Sequence, residues 1–143
     1  MSPEEPMLTS SLIKKANRLL IKKANELLKP YAITHAYTFF LLELFKQDAL
    51  TQAQMCKLIG IEQPTAVRTL DRMERDGFIY RKPAENDRRI SIIYLTQKAL
   101  DVKKAMNRCA TDLNDLALSG FSKEEKEQLN QFIKRMNTNL EKE

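Results

Sequence analysis

The 143-residue chain has no tryptophan, one histidine, two cysteines and three glycines. His35 is its one imidazole, and Cys56 and Cys109 lie far apart outside any C-x-x-C pair. Those residues cannot assemble a structural zinc cluster, so no metal and no cofactor is expected. Two cysteines equally exclude a disulfide-built secreted scaffold. A Gly-rich phosphate loop, a G-x-S-x-G elbow and a cysteine-histidine dyad are all missing, so the chain does not read as an enzyme. The longest apolar run, Phe39 to Phe45, is interrupted by Glu43 and is too short for a bilayer. Met1-Ser2-Pro3-Glu4-Glu5 lacks the basic-then-apolar order of a signal peptide, which gives a cytoplasmic protein as the expectation.

What is present suits one compact domain. Apolar residues make up 43% of the chain, enough for a single core, and few glycines with 7% aromatics favour helices. The formal charge of +5 points to a polyanionic partner. Between Leu8 and Ile33, Lys14, Lys15, Arg18, Lys22, Lys23 and Lys29 face only Glu26, a surplus equal to that of the whole chain. A solvated helix face and a site for phosphate or an anionic ligand are both open readings of it.

Met1 to Met7 reads as a frayed leader. Leu8, Leu12, Ala16, Leu19, Leu20, Leu27 and Leu28 then recur at helical spacing, with Thr9 or Ser10 as cap and an end near Lys29, before Pro30. Thr34 to Lys46 is a second, strongly apolar helix, expected to be the central buried one. Thr51 and Gln54 form a capping box for a third helix that stops at Gly60, and a fourth runs from near Pro64 to Asp76, with Gly77 as its stop. Two short helices around a glycine in a tight turn mark a helix-turn-helix. Phe78 to Lys82 and Ile90 to Leu95 read as strands of a hairpin joined by the charged loop Pro83 to Arg89. Thr96 caps a long helix whose Ala99, Val102, Met106, Cys109, Leu113 and Leu116 form an apolar seam. Leu118 to Phe121 breaks it. Ser122 and Glu125 open a last helix with Leu129, Phe132, Ile133, Met136 and Leu140 on one side. The fold class expected is mainly α with a small β-hairpin: a winged helix-turn-helix between N- and C-terminal helices.

On the fourth helix Ala66, Leu70 and Met73 share one side and anchor it to the core. At 100° per residue, Pro64, Arg68 and Asp71 fall opposite, with Arg72 and Arg75 at the margins. Arg68 is therefore the candidate for entering a DNA major groove, where a guanidinium fork matches the two acceptors of a guanine edge. Gln63 and Thr65 can reach bases or phosphates, and Val67 can lie against a thymine methyl. The wing supplies Arg81, Lys82, Arg88 and Arg89. Asp87 beside two arginines can fix the loop through charge-assisted hydrogen bonds and so structure the wing. Arg88 is read as the residue for the minor groove, and Arg89 as the one tied to Asp87 or a phosphate, with the reverse also open. Thr51, Gln52 and Gln54, with the wing bases, are expected on phosphates, where they give affinity rather than specificity. The rival reading is a winged-helix protein-interaction module without specific DNA binding, which would call for an apolar or acidic outer face.

Ile59-Gly60-Ile61-Glu62-Gln63-Pro64, Val67-Arg68-Thr69-Leu70-Asp71, Gly77-Phe78-Ile79 and Asp87-Arg88-Arg89 with Leu95-Thr96 resemble the MarR family of bacterial transcription regulators, in its SlyA-like branch. The likeness is strongest from Leu50 to Thr96. It implies one domain over residues 1–143, with 8–33 and 96–143 as dimerisation helices around a DNA-binding lobe at 34–95. A homodimer reading a palindromic operator in double-stranded DNA is implied, with the arginines at 68 and 88 as the groove readers. Repression and displacement of another silencing protein are both open. Also implied is a small aromatic carboxylate effector where the dimer helices meet the lobe, near Tyr31, His35 and Tyr37. A family branch that senses peroxide has a reactive cysteine near the start of the chain. Here none precedes Cys56, and Cys56 and Cys109 both read as inert thiols on packed helices.

Overall fold

The computed structural model describes residues 7–142, so the leader reading, apart from Met7, lies outside the described residues. The chain forms α1 (Thr9–Leu28), a 3-10 turn (Lys29–Tyr31), α2 (His35–Lys46), β1 (Leu50–Thr51), α3 (Gln52–Ile59), α4 (Gln63–Arg75), β2 (Ile79–Pro83), β3 (Ser91–Leu95), α5 (Gln97–Ala117) and α6 (Lys123–Leu140).

Local chemistry explains most boundaries. Thr51 Oγ1 accepts from the Gln54 N–H while Gln54 Oε1 accepts from the Thr51 N–H, the reciprocal box expected for α3. Ser122 and Glu125 repeat it at α6, and Thr96 caps α5 by accepting from the Ala99 N–H. Gly60 ends α3 at φ 76°. Beyond α4, Gly77 takes φ 85°, the Phe78 N–H returns to the Met73 carbonyl and the Gly77 N–H to that of Glu74. This paired closure satisfies orphan carbonyls, and Phe78 packs in the core with Met73.

Two boundaries differ from expectation. Leu8, not Thr9 or Ser10, sits at the cap of α1 and offers no side-chain acceptor. A third strand also exists: Leu50 and Thr51 pair antiparallel with Ile93 and Ile92, giving the sheet order β1-β3-β2. Asp48 secures it, its carboxylate accepting from the N–H groups of Ala49 and Leu95. In the hairpin, Tyr80 stands opposite Tyr94 and Arg81 opposite Ile93, which turns Ile79 and Ile93 inward.

The core gathers Tyr37, Phe40, Leu41 and Leu44 of α2, Met55 of α3, the inner side of α4, Phe78, Ile79 and Ile93. α2 is thus central, yet Phe39 and Leu42 on its other side remain exposed. The α5 seam packs on α1 with Ala99 wholly buried at its start, and it emerges until Leu116 is 56% exposed at its end.

Candidate nucleic-acid interface

α4 lies on the core through Ala66, Leu70 and Met73, each with no exposed surface. That burial fixes its outer side by helical geometry. Gln63, Pro64, Thr65, Arg68, Asp71, Arg72 and Arg75 are exposed, while Val67 is half-buried. Among the described residues, Arg68 and Arg72 have no ion pair, so their donors are available to an incoming acceptor. Pro64 lies in the first turn, where its missing N–H costs no intrahelical bond.

The wing tip is built around Asp87. Arg89 donates from Nε to Oδ1 and from Nη2 to Oδ2, each at 3.0 Å, and its backbone N–H adds a third bond to Oδ1. This fork holds the Asp87 carboxyl below its usual range. Arg88 is exposed beside it without an ion-pair partner among the described residues. Behind the tip, the rings of Tyr80 and Tyr94 stack with centroids 5.2 Å apart, stiffening the hairpin.

Arg81 departs from its expected place among the DNA-facing bases. Its side chain is only 20% exposed, and it bonds Asp71 at 2.7 Å and both oxygens of Glu74 at 3.3 Å. It braces β2 against α4, and its charge is spent on those carboxylates. An acidic pair at i, i+3 amid Arg68, Arg72 and Arg75 was the available signal. Thr51 and Gln54 are likewise engaged in capping α3, and Gln52 is half-buried at its first position. All three adjoin the sheet through β1.

The three candidate ligand residues separate. Tyr37 is buried, its hydroxyl donating to Asp76 Oδ2 at 2.6 Å and its ring edge-on to Phe78, so it faces the end of α4. Tyr31 packs against the core cluster. Only His35 lines the cavity of about 170 Å³ between α1, α2 and α5, together with Thr38, Leu42, Met106, Cys109 and Leu113. Burial lowers the His35 pKa, which favours the neutral imidazole. Burial raises that of Cys109, whose thiol donates to the Leu27 carbonyl, so it lacks the thiolate character of a sensor.

A family model described as the MarR family matches residues 33–91. The chain is 27% identical over 126 residues to a protein of Bacillus subtilis (strain 168) described as the uncharacterised HTH-type transcriptional regulator YybA, covering 88% of this chain and 84% of that one. A crystal structure of the transcriptional regulator SlyA is 28% identical, with a TM-score of 0.83 and 94% of each chain covered. Staphylococcus aureus MepR, solved in complex with DNA, is 27% identical with a TM-score of 0.85, covering 95% of this chain and all of that one. The helix order, the winged sheet and these likenesses agree: residues 33–91 match the MarR family, and nearly the whole chain is similar in fold to transcriptional regulators such as SlyA.

Proposed function

We propose that the protein is a cytoplasmic, sequence-specific regulator that binds a palindromic operator in double-stranded DNA as a homodimer. The observation that carries this reading is the outer side of α4. A helix pinned by three fully buried residues presents arginines at 68 and 72 without ion pairs among the described residues, and the neighbouring wing presents another at 88. Arg68 reads a guanine edge, flanked by Gln63, Pro64, Thr65 and Val67, while Arg88 enters the minor groove. Gln52 and the half-engaged Thr51 and Gln54 approach phosphates, and Arg89 holds the wing tip through Asp87.

The flanking helices favour the dimer. α1, the end of α5 and α6 surround an apolar hollow of about 760 Å³, and Leu12, Ile13, Leu20, Leu116, Phe132 and Ile133 are each at least 39% exposed around it. An apolar patch of that kind marks a binding surface, and a second copy covering it sets two α4 helices at a fixed spacing. Successive major grooves on one side of DNA require about 34 Å.

A small aromatic or anionic effector belongs to the same proposal. The His35 cavity sits where α1 and α5 meet the lobe, and its volume resembles the roughly 150 Å³ that accommodates one benzene ring.

Selection of bound sites from a random duplex pool tests the reading. Enrichment of an inverted repeat, with a two-to-one chain-to-duplex ratio, is expected. Absence of any enriched sequence would overturn it and leave the protein-interaction module. Salicylate titrated into the operator complex tests the effector, and no release at millimolar concentration removes that class.

A further inference from the structure

The far end of α4 is held in large part by groups from other elements. Tyr37 reaches it from α2, its hydroxyl 2.6 Å from Asp76 Oδ2, a distance typical of a charge-assisted bond. Arg75 Nε donates to the other oxygen at 3.0 Å. From the start of α5, Lys98 donates to the Asp76 carbonyl and lies 4.5 Å over the Phe78 ring, while Thr96 Oγ1 donates to the Gly77 carbonyl at 2.6 Å. Elements α2, α4 and α5 therefore converge on one residue pair, Tyr37 and Asp76.

We propose that Tyr37 is a positioning residue for DNA reading, its hydroxyl setting the pitch of α4 and through it the approach of Arg68. This rests on the reading of α4 as the groove-entering helix. Ala66, Leu70 and Met73 form a single line of apolar anchors, and Arg81 braces one flank of it through Asp71 and Glu74, leaving the other flank to Asp76. Such a line resists sliding but resists rocking about itself weakly. A bond at the helix end, away from that line, opposes the rocking.

The leverage is large. The Arg68 side chain stands across the helix from that line, about 10 Å away on a helix roughly 10–12 Å wide, so a 5° rock moves it by roughly 1 Å. Productive contacts tolerate only about 0.5 Å. The hydroxyl bond thus controls a displacement that decides whether the guanidinium meets a base edge. α2 also contributes His35, Thr38 and Leu42 to the small cavity, so Tyr37 ties the wall of that cavity to the reading helix.

Tyr37→Phe keeps the ring and deletes one oxygen. Its affinity for the selected operator and for random duplex, well below the melting temperature, is compared with those of wild type, Arg68→Ala and the double variant. The expected result is an operator-to-random ratio reduced about tenfold, the scale of one hydrogen bond to a charged group, with random-duplex affinity and salt dependence unchanged. Because Tyr37 acts through Arg68, Tyr37→Phe adds nothing once Arg68 is alanine. A merely stabilising tyrosine would leave the ratio alone. A wild-type ratio in Tyr37→Phe, or additive losses in the double variant, overturns the proposal while Arg68→Ala remains defective. If Arg68→Ala also keeps the ratio, the reading of α4 itself fails. Asp76→Ala, which removes the acceptor of the Tyr37 hydroxyl, provides the same measurement should Tyr37→Phe not fold, and an unchanged ratio there is equally fatal.

Discussion

Arg89 grips both oxygens of Asp87 at 3.0 Å, and the adjacent Arg88 is left outside that ion pair. Two neighbouring arginines thereby acquire different tasks. Arg88→Ala is expected to cost on the order of 1 kcal/mol in operator binding and to weaken preference in the flanks. Asp87→Ala should act in the opposite sense on random duplex, which gains from the extra net positive charge, while operator preference falls as the tip loosens. Titrations of both variants on both duplexes check this. Parallel losses on the two DNAs would count against it.

Arg68→Ala should lose on the order of 1 to 3 kcal/mol on the operator and relax the preferred base at one position of each half-site. Binding to a panel of single-base operator variants measures it. An unchanged panel profile would remove Arg68 from base readout.

Arg81→Met should lower stability by about 1 kcal/mol, because its carboxylate partners are partly exposed and such pairs are weak. The dependence of operator affinity on salt should stay as in wild type, since no phosphate contact is lost. Denaturant melts and a salt series separate the brace from a phosphate contact, which would make the slope shallower.

Burial, followed by the bond to Asp76, pushes the Tyr37 hydroxyl up to about 12 from an ordinary 10.0. With the folded pKa raised, its stability contribution is complete below about pH 10 and lost as pH rises towards 12. Tyr37→Phe should therefore flatten the alkaline decline of the melting temperature relative to wild type. Superimposable declines between about pH 9 and 12 would show that the hydroxyl does not titrate as the structure implies.

Phe132→Glu places a charge in the apolar hollow between α1 and α6. Sedimentation should give a monomer with helix content retained in the lobe, and operator affinity should collapse. A dimer of wild-type strength would place the interface elsewhere.

Chemistry that acts within a few residues was readable in the sequence. Thr51 with Gln54, Ser122 with Glu125, Gly60 and Gly77 marked helix ends correctly because each acts on backbone groups one turn away. Ala66, Leu70 and Met73 betrayed the inner side of α4 by period alone. Strand β1 was hidden because Leu50 and Thr51 also carry a helix-start signal, and their partners Ile93 and Ile92 lie some forty residues onward. Arg81 and Tyr37 were misplaced for a related reason. Arg81 was read by type as a DNA-facing base and Tyr37 as part of an effector site, and only tertiary packing brought carboxylates to Arg81 and Asp76 to Tyr37.

In the proposed homodimer, the seam on α5, dry at Ala99 and wet at Leu116, makes melting a matter of concentration. The lobe end closes on its own chain, whereas in the proposed homodimer the exposed apolar groups of the other end are covered by the second copy. Dilution should then lower the melting temperature by mass action, and operator DNA should raise it. For such a dimer at low concentration, folding, pairing and operator occupancy would be one linked equilibrium.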